Sequence, residues 1–333
     1  MGKLADEDLK KLLTCIKEDK RVVVPPMLGY DAGVHLLGYK YVVVATDPCI
    51  GVPHELFGWL LLNYAASDVA LFGAKPEFCT VNLLGPLSTK PEKFQTVMNQ
   101  FCKAADELNI AIVRGHTGTY NGIASLLGVC TAYGTVQKEK LITPGNAKEG
   151  DLILCTKSIG LETLINFALT NQGLAQRILG KVEAKKLTSM VKMESCVYEA
   201  EKLSEIRGVH AMHDATEGGF TMALNEMAEA SGLGFEIEFE RLSISREMKL
   251  VQEHFGLTDE QVLAASSTGM IIAAVHHEAK AQVEEAMCEI GFPIAYLGAF
   301  TNDKKRKLLR NGVPEPFPRA ADDPYVNILS ARE

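Results

Sequence analysis

The chain of 333 residues is 47% hydrophobic and 23% charged, the profile of an ordinary folded protein, which excludes a disordered chain. Its length exceeds what one core of about 150 residues needs, so two domains are expected. With 42 acidic against 34 basic residues the net charge is −8, which speaks against nucleic acid as a partner.

The N-terminal stretch MGKLADEDLKKLLTCIKED is charged and amphipathic with no apolar h-region, so no signal peptide is expected. No run approaches 18 consecutive apolar residues, so no membrane span is expected either. The eight cysteines (15, 49, 79, 102, 130, 155, 196 and 288) form no CxxC pair. That spacing argues against a zinc site, an iron–sulfur cluster or a thioredoxin motif, and it fits reduced cysteines in a cytoplasmic protein. Cys15 is read as a packing residue on a helix face and Cys288 as a structural residue inside a helix.

Lys40–Thr46 is a β-branched run that leaves at Asp47-Pro48, a buried strand with a polar exit. Phe57–Leu71 is an apolar segment of helical length, stopped by Gly73 and Pro76. Glu77–Leu84 reads as a strand. Pro91–Leu108 places Phe94, Val97, Met98, Phe101, Ala104 and Ala105 on one helical stripe behind a leading proline. Ile110–Val113 reads as a short strand ending in the turn Arg114-Gly115-His116-Thr117-Gly118, and Ile123–Val136 as a further strand. A polar, turn-rich boundary follows at Thr143–Gly150. Beyond it come a strand at Asp151–Cys155, a long helical stretch at Gln172–Arg207 and a strand at Val209–Met212. A helix at Gly219–Ser231, a strand at Phe235–Phe239 and a strand–helix–strand over Met270–Leu297 complete the second half. Alternating strands and helices with antiparallel neighbours predict an α/β (α+β) fold in both halves. The division is a helical extension over 1–24, a first domain over 25–143, a second over 150–305 and a tail over 306–333.

The chain has no GxxxxGK[ST] loop, GxGxxG turn, GxSxG elbow or HExxH helix. Candidate chemistry lies instead in acidic turns: Gly29-Tyr30-Asp31-Ala32-Gly33, Ala45-Thr46-Asp47-Pro48, Ser67-Asp68-Val69-Ala70 and His213-Asp214-Ala215-Thr216-Glu217-Gly218-Gly219. Magnesium takes a few carboxylates plus substrate phosphates, so such a site looks like isolated aspartates and not a dedicated cage. Glycines let the backbone approach phosphates closely, and Gly218-Gly219 open a helix whose free N–H groups favour an anion. The plain alternative for an Asp beside Gly is an ordinary turn or cap. Asp68 resists that reading, because it lies in an apolar helix where a buried carboxylate needs compensation. His116 alone reads as a hydrogen-bonded loop histidine.

Taken in order, these segments resemble the AIR synthase superfamily. Ala66-Ser67-Asp68-Val69-Ala70-Leu71-Phe72-Gly73-Ala74-Lys75-Pro76 is similar to its N-D-x-A-x-x-G-A-x-P helix. Gly29–Gly33 is similar to its GDDA turn, with Tyr30 in place of the first acid, and Ala45-Thr46-Asp47 to its T-D strand end. Gly150–Leu154 resembles the family's opening to a second domain. His213–Phe220, followed by Ala223-Leu224-Asn225-Glu226-Met227-Ala228-Glu229-Ala230-Ser231-Gly232, resembles the HypE hydrogenase-maturation branch. His116 stands where many members carry Asp and is similar there to selenophosphate synthetases. The resemblance spans about residues 25 to 300. It implies a PurM-like two-domain fold, a homodimer formed by the N-terminal domain, and ATP with magnesium as cofactors, held between the domains. It further implies that Asp31, Asp47, Asp68 and Asp214 bind metal, and that Gly29, Asp31, Thr46, Thr117, Thr216, Gly218 and Gly219 bind nucleotide. His116 and Asp214 are its catalytic candidates. The activity implied is ATP-dependent activation of a small amide, carboxylate or phosphate acceptor by phosphoryl transfer. The chain ends Asn327–Glu333 without the terminal Cys of the HypE branch, so carbamoyl carriage on its own tail is not expected. The alternatives are a small-molecule kinase like thiamine-monophosphate kinase and a non-catalytic nucleotide-binding partner of a maturation protein.

Overall fold

The computed structural model describes residue 4 and residues 6–331. The remaining positions of the expected extension and tail (1–3, 5, 332 and 333) lie outside the described residues. Two compact units emerge, one over residues 13–141 and one that joins the stretch before residue 13 to the chain from Ile142 onward. No helix among the described residues is long and apolar enough to cross a membrane.

Helix α1 (Asp6–Leu13) is followed by β1 (Val22–Val24), β2 (Ala32–Leu37), β3 (Lys40–Cys49), α2 (Phe57–Leu71), β4 (Phe78–Gly85), α3 (Pro91–Leu108), β5 (Ala111–Thr119) and β6 (Leu127–Val136). The six strands make one mixed sheet in the order β1-β2-β3-β6-β4-β5, with only β4 and β5 parallel. Alternation decides its faces. Val43, Ala45 and Cys49 on β3, Cys79, Val81 and Leu83 on β4, and Cys130 and Ala132 on β6 are buried, while the residues between them are partly or fully exposed. The buried face carries α2, which packs on β3, β6 and α3. A helix sandwiched in this way is apolar all round, and Leu60, Leu61, Leu62, Ala65, Ala66, Val69 and Ala70 are fully buried. Helix α2 ends at Gly73 (φ +75°), and α3 starts with its proline at the first turn.

Where α2 crosses α3, Gly58 removes the side chain that would block the approach. A Cβ there would fall on the Val97 carbonyl and within 2.8 Å of Phe101 N. Gln100 ties the crossing, accepting from Gly58 N at 2.8 Å and donating to the His54 carbonyl at 3.1 Å.

The second unit runs β7 (Leu152–Thr156), α4 (Leu161–Thr170), α5 (Gln172–Leu179), α6 (Lys181–Thr188), α7 (Val197–Ser204), β8 (Val209–Asp214), α8 (Gly219–Ser231), β9 (Gly234–Glu238), α9 (Arg246–Phe255), α10 (Asp259–Ala264), β10 (Ile271–Val275), α11 (Lys280–Glu289), β11 (Ile294–Thr301), β12 (Arg306–Arg310), β13 (Val313–Pro316) and α12 (Tyr325–Ser330). Its sheet has the order β13-β12-β9-β11-β7-β10-β8, antiparallel except where β12 joins β9. All five residues of β10 are buried, as befits an inner strand covered on both faces.

Several elements differ from the sequence reading. Strand β5 does not stop at Val113: parallel pairing with β4 carries it through Arg114–Thr119, so the glycine-rich segment around His116 is strand, not turn. The helical stretch over 172–207 is broken at Gly180 (φ +88°) and again by a short turn at Val191–Glu194. Val22–Val24, within the expected helical extension, pair with β2, and the expected tail holds β12, β13 and α12. Cys15 lies past the end of α1 and is exposed, and Cys288 is exposed on α11, so neither is the packing residue that was expected.

Gly58→Ala sets helix propensity, about 0.5–1 kcal/mol in favour of Ala, against overpacking, about 1–3 kcal/mol. The obstacle is α3 backbone, so overpacking wins. Chemical denaturation is expected to show a net loss of about 1–2 kcal/mol, and a stabilised variant would contradict the tight crossing.

Candidate functional site

In the N-terminal domain three carboxylates come from neighbouring pieces of chain. Ala32 pairs with Ala45, so Asp31, one residue earlier, arrives alongside Thr46 on β3. Thr46 is exposed and shares a hydrogen bond with Thr131 on β6, Oγ1 to Oγ1 at 2.9 Å. Asp47 pairs with Cys130 on the face turned to α2. The Cys130 thiol is pushed up by its hydrogen bond with Cys79, then by burial, with the Asp47 charge adding to it. Asp68 projects from α2 and is only 6% exposed. Helix α2 packs on β3, so Asp47 and Asp68 belong to elements in contact. Tyr30, which replaces an expected acid, sets its ring edge-on to Phe72 at the end of α2, with centroids 6.2 Å apart. That contact gives the tyrosine a packing role and holds the Gly29–Asp31 turn (Gly29 φ +70°) against the helix.

His116 does not join them. It pairs with Asn82, which pairs with Val129, which pairs with Pro48. Residues directly opposite share a face, so His116 lies on the face away from α2, while Asp47 lies on the face toward it. Three strand spacings of about 4.8 Å separate β5 from β3. His116 and Thr117 are exposed, and the His116 ring bonds the Tyr120 hydroxyl through Nε2 at 2.5 Å.

In the C-terminal domain, β8 delivers His213 and Asp214, each 2% exposed. The His213 ring donates from Nδ1 to the Asp214 carbonyl at 2.8 Å and sets Nε2 3.1 Å from the Glu226 carboxylate. The chain then turns: Gly219 N donates to the Thr216 carbonyl at 2.8 Å, and Gly218 (φ +79°) and Gly219 (φ +55°) take left-handed backbone. A Cβ on Gly219 would meet the Ala265 carbonyl at 2.5 Å and Ala264 backbone at 2.8 Å. Only glycine lets the start of α8 press onto that loop. The next residue of the loop, Ser266, forms one wall of a small cradle with Gly218 N. The cradle holds Asp323 from the C-terminal segment, whose Oδ2 accepts from Ser266 Oγ at 2.6 Å. Sequence reading found the glycines but not this occupant, about a hundred residues away.

Residues 29–136 match the model of the AIR synthase related protein N-terminal domain, and residues 148–310 match that of the AIR synthase related protein C-terminal domain. The chain belongs to the AIR synthase related family. Its PurM-like two-domain fold is the one the sequence motifs implied. Among relatives, it is 25% identical over 304 residues to a putative hydrogenase expression/formation protein of Methanocaldococcus jannaschii, covering 87% of each chain. It is 26% identical over 251 residues to the carbamoyl dehydratase HypE of Cupriavidus necator, covering 71% of this chain and 67% of that one. The solved structure of hydrogenase maturation protein HypE in complex with ATP superposes with a TM-score of 0.72 at 18% identity, over 94% of this chain and 91% of that one.

This AIR synthase relative also buries a charged cluster that sequence reading missed. Lys157 (φ +56°) follows β7 and points inward. Its Nζ donates to the carbonyls of Met193, Ser195 and Gly269 at 2.7–2.8 Å and pairs with Glu199 Oε1 at 2.5 Å. Glu162 accepts from Thr268 Oγ1 at 2.5 Å. Glu194 is fully buried, and neither of its carboxylate oxygens has a hydrogen-bond partner. The available signal was a lysine directly after the apolar run Leu152–Thr156, at a strand exit where a turn residue is usual.

Burial, then the nearby Glu162 charge, holds the Glu194 carboxyl well above its ordinary value of 4.5, with Lys157 opposing. The folded chain therefore keeps a proton that the unfolded chain releases, so this group's contribution to stability is fully present below about pH 4.5 and is lost as pH rises through the raised value. Glu194→Gln is expected to flatten that decline and to be about 1–2 kcal/mol more stable than the parent near pH 8. Urea titrations across pH 5–8 check this, and a parent that gains stability on the variant as pH rises would refute it.

Proposed function

We propose that the chain is an ATP- and magnesium-dependent enzyme that activates a small amide, carboxylate or phosphate acceptor by phosphoryl transfer. The observation that carries the reading is the buried Asp68 carboxylate. A carboxylate 6% exposed in an otherwise apolar helix, packed on the strand that carries Asp47, offers the hard oxygen that suits magnesium. In this reading Asp31, Asp47 and Asp68 hold the metal, with Asp214 as the C-terminal domain's carboxylate. Gly29, Asp31, Thr46 and Thr117 serve the nucleotide. Thr216, Gly218 and Gly219 bind an anionic group at the start of α8, where backbone N–H groups and the helix dipole favour negative charge. A magnesium ion would neutralise phosphate charge, and the aspartates would fix where the phosphates lie. The similar HypE structure bound to ATP supports the nucleotide. The relative named for hydrogenase expression and formation supports work alongside a maturation protein.

A homodimer belongs to the same reading. Strand β5 is an edge strand with Ile112 and Val113 exposed, and Phe78 and Tyr133 stack on the helix-free face of the sheet. A long exposed edge beside a half-covered face calls for a partner. His116 lies on that face, so its catalytic part, with Asp214 as the other candidate, would be played at the subunit interface. Val113→Lys is expected to shift the protein from dimer to monomer in light scattering, and a parent already monomeric would remove the dimer.

Calorimetry with ATP tests the main reading. Binding is expected to need magnesium, and Asp68→Asn is expected to weaken the magnesium-dependent part by about tenfold or more. A parent that binds ATP no better with magnesium than with chelator would sink the assignment.

A further inference from the structure

We infer that residues 318–330 form a strap that holds the Asp323 carboxylate in the cradle at the start of α8, in place of a ligand's phosphate or carboxylate, and that binding of that ligand displaces it. The inference rests on the anion-binding role given above to Gly218 and Gly219. What it adds is that the chain supplies its own competitor.

The strap is fastened at both ends. Phe317, just before it, packs edge-on against Phe220 and Phe235, with centroids 6.1 and 5.0 Å away. Asn225 on α8 donates from Nδ2 to the Pro318 carbonyl at 2.9 Å. At the far end Asn171 donates to the Leu329 carbonyl at 2.8 Å and the Ile328 carbonyl at 3.3 Å, Asn166 donates to the Tyr325 hydroxyl at 3.0 Å, and Ile328 is fully buried. Between these anchors Arg319, Ala320 and Asp322 are exposed. The strap can therefore lift in the middle while its ends stay attached.

Asp323 fills the cradle imperfectly. Its two short bonds are from Ser266 Oγ to Oδ2 at 2.6 Å and from its own neighbour Tyr325 N to Oδ1 at 2.9 Å. The backbone donors stand farther off, Gly218 N at 3.5 Å and Ser266 N at 3.4 Å, beyond the 2.7–3.2 Å of a well-made N–H···O bond. The bond to Tyr325 N ties the carboxylate to the start of α12 and keeps it from moving closer. A free phosphate has no such tether and has more acceptor oxygens. The first turn of α8 also retains an unmet group: the Thr221 hydroxyl is buried, the residue being 1% exposed, and has no hydrogen-bond partner. Thr221 lies one turn before Asn225, on the stripe of α8 that meets the strap, and with the two long backbone bonds its unpartnered hydroxyl marks a place that fits some other anion better than Asp323.

Inorganic phosphate is the probe, used on the full chain. Asp323→Asn keeps the side-chain shape and removes the competing charge, so calorimetry is expected to show phosphate binding tightened by about tenfold or more. In the parent, phosphate is expected to speed tryptic cleavage after Arg319, a readout that needs no variant. A folded Asp323→Asn protein that binds phosphate no more tightly than the parent would overturn the strap, and so would slower cleavage at Arg319 when phosphate is added. If phosphate binds neither protein while magnesium–ATP still binds the parent, the strap fails and the nucleotide reading stands. Failure of magnesium–ATP to bind the parent overturns the nucleotide reading itself.

Discussion

The N-terminal domain depends on one constraint, that α2 has no solvent face. Buried between the sheet and α3, it can hold only apolar residues, small residues where backbones touch, and polar residues whose charge is met by something. Gly58 and the run of alanines meet the second condition. Asp68 meets the third, on a helix packed against β3, the strand that carries Asp47. The same packing buries one face of β3, β4 and β6 and leaves their other face partly exposed, with β5 exposed at the edge. In the proposed reading the metal lies on the helix side of the sheet and the association face on the other.

That constraint also explains what was legible in the sequence. The bounds of α2 and α3 could be read from their ends, because apolar periodicity and a leading or trailing proline or glycine are local signals. Helix α8 was equally legible, since Gly218 and Gly219 mark its start. Strand β5 was not. Arg114-Gly115-His116-Thr117-Gly118 has the composition of a turn, and only its pairing with β4 makes it strand. Strand β12, rich in Lys and Arg, was hidden for the same reason: it is held by a parallel pairing with β9, some seventy residues earlier. The candidate aspartates were visible because acids beside glycines are unusual in apolar surroundings. Their grouping was not, since the face occupied by His116 depends on a register that no motif records.

In the C-terminal domain the legible part and the hidden part meet at one place. The glycines of the α8 turn allow a backbone approach that no side chain would tolerate, and their need for positive φ marks them in the sequence. What fills the space they open comes from a segment that reads as a polar tail, and Asp323 resembles any cap residue before a short helix. It does cap α12 through Tyr325 N. The second oxygen turns that ordinary cap into a contact between distant parts of the chain, because Ser266 reaches it at 2.6 Å.

Three carboxylates in this protein meet burial in three ways, and the difference separates structure from chemistry. Glu194 has no hydrogen-bond partner and a raised pKa, so it relieves its burial by keeping a proton; a neutral acid of that kind neither binds metal nor attracts phosphate. Asp323 is met by four donors, two of them beyond the range of a well-made bond. Asp68 lies on the helix that packs on β3, the strand that carries Asp47, and in the proposed reading a divalent cation is held there. All three are carboxylates; Glu194 is fully buried, Asp68 6% exposed and Asp323 half-buried. In the proposed reading the metal belongs at Asp68 and not at Glu194, although Glu194 is the more deeply buried.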